Sequence, residues 1–323
     1  MMRWLLLAFT VVACSAAPPP AAPAAPAPAP CPVAPAAPPA SESVRLADAQ
    51  RLVTELVARI KLSPADEALR HPRSIQDIKT ILQRDTVYLF ADAAAYARSL
   101  GTLEGRFSEA YLELAIGEDQ LLASQVLTTQ GAWVATDLRI ARASVAGDVA
   151  DDRARTLAQL VHAVEEGNAV ADALGLLAPT HLRRAGDVIR GLRSEAPGDT
   201  RISLLSAELA RLRGDWADFD KGMPVAEGAG GSQGPLCYLR AMEQLERQRK
   251  ADVASEQLSA CTKRFPRFVR AQAAVVMLAP SPYAARAALT RLRQMNEDHY
   301  LVMLLEPALA AQQELARMEN HAP

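Results

Sequence analysis

The sequence predicts an all-α protein built from antiparallel helix hairpins, behind about forty residues that cannot join the fold. Three observations carry this. Apolar residues recur at helical period through nearly every segment after Ser41. No stretch alternates polar and apolar β-branched residues for long enough to make a sheet. In the C-terminal half, small and apolar residues recur 34 positions apart, Ala254 with Ala288 and Leu258 with Leu292.

The chain opens with Arg3 and an unbroken apolar run of ten residues, 4–13 (WLLLAFTVVA). A helix needs about 20 apolar residues to cross a bilayer, so this run has the size of a signal-peptide core instead. It ends in Val11-Val12-Ala13-Cys14, which resembles the lipobox of bacterial lipoproteins. The resemblance implies cleavage after residue 13, a diacylglycerol on the Cys14 thiol and usually a further acyl chain on the new amino group. Two or three chains hold a protein stably where one holds it only marginally. Ser15 after the cysteine, where Asp would retain a lipoprotein in the inner membrane, implies sorting to the outer membrane. Residues 16–40 are almost entirely Ala and Pro. Proline fixes φ and lacks a donor, so residues 14–40 read as a lipidated cysteine and an extended stalk, reaching roughly 75 Å at about 3.1 Å per residue.

Helices follow in order. Residues 45–61 carry Leu52, Val53, Leu56, Val57 and Ile60 on one stripe. Residues 62–74, with Pro64 and Pro72, form a break. A longer helix is expected over 75–100, ended by Gly101 and Gly105, and separate helices over 106–116, 118–130, 133–145 and 149–165. Residues 41–166 are therefore taken as an N-terminal helical region and 167–323 as a repeat region.

In the repeat region, Ala185, Ile189 and Pro197 share their internal spacing with Ala254, Leu258 and Pro266, 69 residues on, about twice 34. A third unit fits between them, with its turn at Gly214-Asp215-Trp216 and Phe219 in register. In the clearest unit, 235–267, Tyr238 takes the large position and Ala241, Met242 and Leu245 follow; Ala254, Leu258 and Cys261 face back from the second helix. This resembles the tetratricopeptide repeat, a helix-turn-helix unit of 34 residues, over somewhat less than half of the chain. Met242 and Phe219 depart from the small residues usual at their positions, and before residue 168 the register is lost. The resemblance implies a right-handed α-solenoid whose first helices line a concave groove. Carried onto this sequence, its groove positions are Arg201, Leu204, Glu208 and Arg211 in one unit and Leu236, Leu239, Glu243 and Arg247 in the next.

Cys237 and Cys261 each lie 12 residues from Arg249, in the turn 247–250. In an antiparallel hairpin, residues equidistant from the turn lie side by side. In an oxidising compartment they are expected to form a disulfide, worth about 3.5 kcal/mol in the chain-entropy model. The competing reading is two separate buried cysteines acting as small hydrophobes. Cys31 sits in the stalk.

Composition narrows the function. Net charge is −2, which gives no bulk attraction to nucleic acid. Arg outnumbers Lys 30 to 5, a coding bias rather than a chemistry. Aromatics are 5% of the chain, too few for sugar- or base-stacking platforms. Gly230-Gly231-Ser232-Gln233-Gly234 matches G-x-S-x-G by letter, yet the nucleophile elbow needs a strand before it, and here helices flank it. His162-Ala163-Val164-Glu165-Glu166 approaches an inverted zinc motif without its second histidine. No catalytic residue, cofactor or metal site is assigned. The expectation is a non-enzymatic, lipid-anchored scaffold or assembly factor at the cell envelope, in the outer membrane facing the periplasm, with a protein partner. A cell-wall hydrolase with an unrecognised site and a ligand-binding uptake lipoprotein are the alternatives.

Overall fold

The computed structural model describes residues 42–84, 87–143, 151–229, 233–295 and 299–320. The lipidation call at Cys14, the stalk and Cys31 lie outside them. Among the described residues there are thirteen α-helices, one 3₁₀ turn and no strand.

Two long helices organise the chain. α5 (Leu103–Ala143) and α6 (Asp151–Glu195) run 41 and 45 residues and pack along each other. They are antiparallel: Gly117 meets Leu182 and Ala178, while Ser124 meets Gly175. A Cβ at Gly117 would lie 2.6 Å from Leu182 Cδ2, so the missing side chain sets how closely the helices cross. The separate helices expected over 106–145 are one helix, because an interior glycine such as Gly117 weakens a helix by only about 1 kcal/mol and does not end it.

The N-terminal helices lean on this pair. α1 (Glu42–Ala58) lies against α6. α2 (Pro64–Glu67) is a single turn inside the expected break, started by Ser63, whose hydroxyl accepts the Asp66 amide. The expected helix over 75–100 is divided into α3 (Ile75–Arg84), a 3₁₀ turn (Val87–Leu89) and α4 (Phe90–Ser99). A reciprocal cap begins α3: Ser74 Oγ accepts the Asp77 amide at 3.2 Å, and Asp77 accepts the Ser74 amide at 3.0 Å. α4 stops at Gly101, whose φ of 63° a side chain would resist. Gly105 does not end a helix; it lies inside α5, packed beneath the Ala97 carbonyl. Ile78, Ile81, Phe90 and Ala93 close a core against Leu112 and Ala115 of α5.

The C-terminal half is a run of adjacent helix pairs: α7 (Arg201–Leu212) with α8 (Trp216–Gly228), α9 (Gln233–Glu246) with α10 (Ala251–Arg264), and α11 (Val269–Met277) with α12 (Pro282–Met295). Their boundaries follow the sequence signals. Gly214, with φ 71°, turns the chain after α7, and Asp215 caps α8 by accepting the Asp218 amide at 3.1 Å. Pro197 and Pro266 follow the ends of α6 and α10. The Ala, Ile and Leu positions of the register (Ala185, Ile189, Ala254, Leu258, Ala288 and Leu292) are buried, while Pro197 and Pro266 are exposed. Helix α13 (Tyr300–Asn320) then returns to α6 and α5.

The cysteine pair is a correction. Cys237 and Cys261 are both free thiols, Cys261 buried and Cys237 half-buried. The hairpin does bring them together, since the Cys261 thiol is pushed up first by burial and then by the Cys237 side chain. Its sulfur, however, points toward the Gly234 carbonyl at 3.8 Å. Equal distance from a turn makes two residues neighbours; it does not set the Cβ vectors that a disulfide needs.

Candidate functional site

The groove positions are not all on the surface. Arg201 is half exposed and ties Glu104 of α5 at 2.7 Å while lying over the Phe107 ring at 3.8 Å. Leu204 is half-buried, and Leu236 and Leu239 are core, packed with Phe219 and Met223 between α7, α8 and α9. Glu243 is buried and held by Arg240 and Arg247; Arg247 reaches across to Asp220 at 2.7 Å. Glu208 and Arg211 are 1% and 3% exposed.

What buries Glu208 and Arg211 is α5. Glu118 of α5, itself 2% exposed, pairs with both Arg211 of α7 and Arg270 of α11. Arg270 also holds Glu208 Oε1 at 2.5 Å and donates to the Tyr111 hydroxyl at 3.0 Å. Arg211 holds Glu246 of α9 at 2.7 Å. Aromatic rings wall the guanidiniums in: Phe268 lies 5.1 Å from that of Arg270, and Tyr238 lies 5.6 Å from that of Arg211. Two arginines and two carboxylates are thus fully buried at the meeting of α5, α7 and α11. Such a cluster persists only because its charges are paired and hydrogen-bonded.

The sequence reading named Arg211 and Glu208 but missed Glu118, Tyr111 and Arg270. For Arg270 the signal was present, a charge set inside the apolar run FVRAQAAVV; Glu118 sits in the polar stretch Glu118-Asp119-Gln120 and carried no such signal.

Above the cluster a cleft of about 330 Å³ opens between α5, α7 and α9. Glu118, Arg211 and Tyr238 form its floor, and Leu121, Met242 and Trp216 its walls. Arg249 stands at its rim. The turn from α9 to α10 places Arg249 at φ 56°, a conformation that favours glycine and costs an arginine about 1 kcal/mol. Burial pushes the Tyr238 phenol up to about 12, and its hydroxyl has no hydrogen-bond partner.

A second polar group lies nearer the N-terminal helices. Arg98 of α4 holds Glu109 at 2.6 Å and Glu113 at 2.8 Å, and the Glu113 carboxylate meets His181 Nδ1 of α6 at 2.7 Å. Glu109 foremost holds the Arg98 guanidinium above its ordinary value. Among the described residues no group of His, Cys, Asp and Glu side chains is arranged to hold a metal ion. No described helix is long and apolar enough to cross a membrane. The G-x-S-x-G segment stands between α8 and α9, with residues 230–232 outside the described set. His162, Glu165 and Glu166 lie along α6.

No protein-family model, curated protein or solved structure matches this chain.

Proposed function

We propose that this chain is a non-catalytic, protein-binding adaptor of the bacterial cell envelope, held to the outer membrane by lipid on Cys14 and facing the periplasm. The cleft ringed by Arg249 carries the binding half of this reading. An arginine kept where the backbone favours glycine, unpaired among the described residues and standing over apolar walls, fits a polypeptide that offers a carboxylate to Arg249 and an apolar side chain to Leu121 and Met242. The anchor half rests on the Val11-Val12-Ala13-Cys14 motif and the proline-rich stalk behind it. The 34-residue register supports reading the three hairpins as tetratricopeptide-like, in a short solenoid packed against α5.

Two measurements test this. Intact mass of protein extracted from native membranes should show loss of residues 1–13 and added acyl chains; an unlipidated mass removes the tether. Cross-linking in the membrane should then capture one partner, and Arg249→Gly should lose it. That substitution removes the side chain while relieving the backbone, so a folded variant that keeps the partner refutes the cleft as the binding site.

A further inference from the structure

Helices α6 and α7 leave a small pocket between them, bordered by the start of α8. Its volume is about 120 Å³, room for a few waters or one small oxyanion rather than a drug-sized molecule. Gly186, Arg190 and Arg193 line it from α6, and Ser206, Ala210 and Arg213 from α7. Both sets step by four and then three residues, which puts each on one face of its helix. Arg213 lies down on Gly186. A Cβ there would collide with the Arg213 Nη2, so the missing side chain is what admits the guanidinium.

Three guanidiniums share this pocket, and ion pairing accounts for only one of them. Arg190 meets Asp187 at 3.3 Å, both well exposed on α6. Arg193 and Arg213 make no ion pair with any described residue. Two carboxylates line the same pocket, and both are used elsewhere: Asp215 Oδ1 caps α8, and Asp218 Oδ1 holds Lys221 at 2.8 Å. Lys221 is what chiefly keeps the Asp218 carboxyl below its ordinary range, with Arg193 the smallest influence. With Lys221 included, the cations around the pocket outnumber Asp187, Asp215 and Asp218. A further donor stands on the α7 face. Ser206 is 8% exposed, and its hydroxyl has no hydrogen-bond partner. Buried hydroxyls left in that state are uncommon.

From this we infer that the pocket binds a phosphate group, with Arg193 and Arg213 neutralising it from the two helices and Ser206 donating to it. A phosphate offers acceptor oxygens in several directions and up to two charges, which guanidiniums from two helices and a hydroxyl can meet together. A carboxylate offers two oxygens in one plane and a single charge. Free phosphate and the phosphomonoester head of a lipid share the chemistry that fits. The pocket has no lining residue in common with the cleft at Arg249, so its fate does not depend on the adaptor reading.

The test titrates the full chain at fixed ionic strength with inorganic phosphate, dihexanoyl phosphatidate and acetate, followed by calorimetry and phosphorus NMR. At least one of the two phosphates should bind about tenfold or more tightly than acetate. Whichever of them binds more tightly names the source, free ion or lipid head. Arg213→Gln, at an exposed side chain, should weaken binding about tenfold. Gly186→Ala is the stricter variant: it keeps every charge but displaces the Arg213 guanidinium, and should weaken binding about fivefold. Ser206→Ala should weaken it about threefold without lowering the melting temperature, because the hydroxyl it removes has no partner. If acetate binds as well as the phosphates, or Gly186→Ala leaves their affinity unchanged, the arginines are ordinary solvated charges and the proposal fails. Failure of both phosphates to bind at millimolar concentration overturns it as well.

Discussion

Glu118→Gln is the sharpest test of how this molecule is held together. Glu118 offers one carboxylate oxygen to Arg211 and the other to Arg270, and all three side chains are 2% exposed or less. In the parent, two buried guanidiniums face two buried carboxylates, Glu118 and Glu208. The amide removes one charge and leaves two buried guanidiniums sharing one buried carboxylate, with the part-exposed Glu246 as the other anion beside them. Breaking a buried pair by removing one partner costs about 3–5 kcal/mol. Counting bonds gives a similar figure, since the two charge-assisted hydrogen bonds are worth about 1.5–3 kcal/mol each. At roughly 2–4 °C per kcal/mol for a domain of this size, melting should fall by about 10 °C. The assay is urea and thermal unfolding followed by circular dichroism at the helical band. Glu246→Gln is the internal comparison. Glu246 holds the same Arg211 but is one-third exposed, so its loss should cost about 1 kcal/mol or less. If Glu118→Gln costs no more than Glu246→Gln, the cluster is not the buried, mutually paired network described above.

Three further outcomes are expected. Gly117→Ala should destabilise by about 1–3 kcal/mol, since its Cβ would overlap Leu182, whereas Gly167→Ala, with nothing within 4 Å, should stabilise α6 by about 0.5–1 kcal/mol; chemical denaturation separates the two. Tyr238 keeps its proton up to about 12 in the fold, so its contribution is fully present below the ordinary phenol value of 10.0 and is lost as pH rises toward 12, by about 2 kcal/mol. Tyr238→Phe should flatten the stability profile between those two values and cost under about 0.5 kcal/mol at neutral pH, because the hydroxyl it removes has no partner. Alkylation of the unfolded chain without reductant, followed by peptide mapping, should label Cys237 and Cys261 alike; a product carrying a linked pair would contradict the free thiols.

Local signals in the sequence carry a good part of this fold. The turn at Gly214-Asp215-Trp216 lies between α7 and α8, and that at 247–250 lies between α9 and α10. The small and apolar residues spaced by 34 are all interior. These are short-range facts: a glycine at positive φ, a capping aspartate, a stripe one helix wide. What was not legible depends on distant partners. Nothing near Arg270 in sequence reveals that Glu118, 152 residues away, neutralises it. Helix breaks were over-read for a related reason. A glycine marks a weak point, but whether the helix continues depends on the neighbour packed against it, as α6 packs against α5 at Gly117. The cleft at Arg249 has a local marker, an arginine in a turn where glycine is usual, but its positive φ is not legible from the sequence around it.

The role of α5 explains why part of the groove read from repeats, Glu208 and Arg211, is interior. In an array where each hairpin touches only its neighbours, the first helices face solvent, and charges such as Glu208, Arg211 and Arg270 are hydrated. Here α11 packs directly on α5, and α7 lies alongside it. Water is displaced from that face, so each charge must find a fixed partner or the packing is unstable. Glu118 and Tyr111 of α5 are those partners, meeting Arg211 and Arg270, while the Glu104–Arg201 pair beside them stays half exposed. A polypeptide partner competing for the whole face would have to strip α5 from α7 and α11 and replace every one of these bonds. Approaching through the cleft at Arg249 displaces none of them. The adaptor reading therefore turns on that rim, while the central cluster serves to hold α5, α7 and α11 in register beneath it.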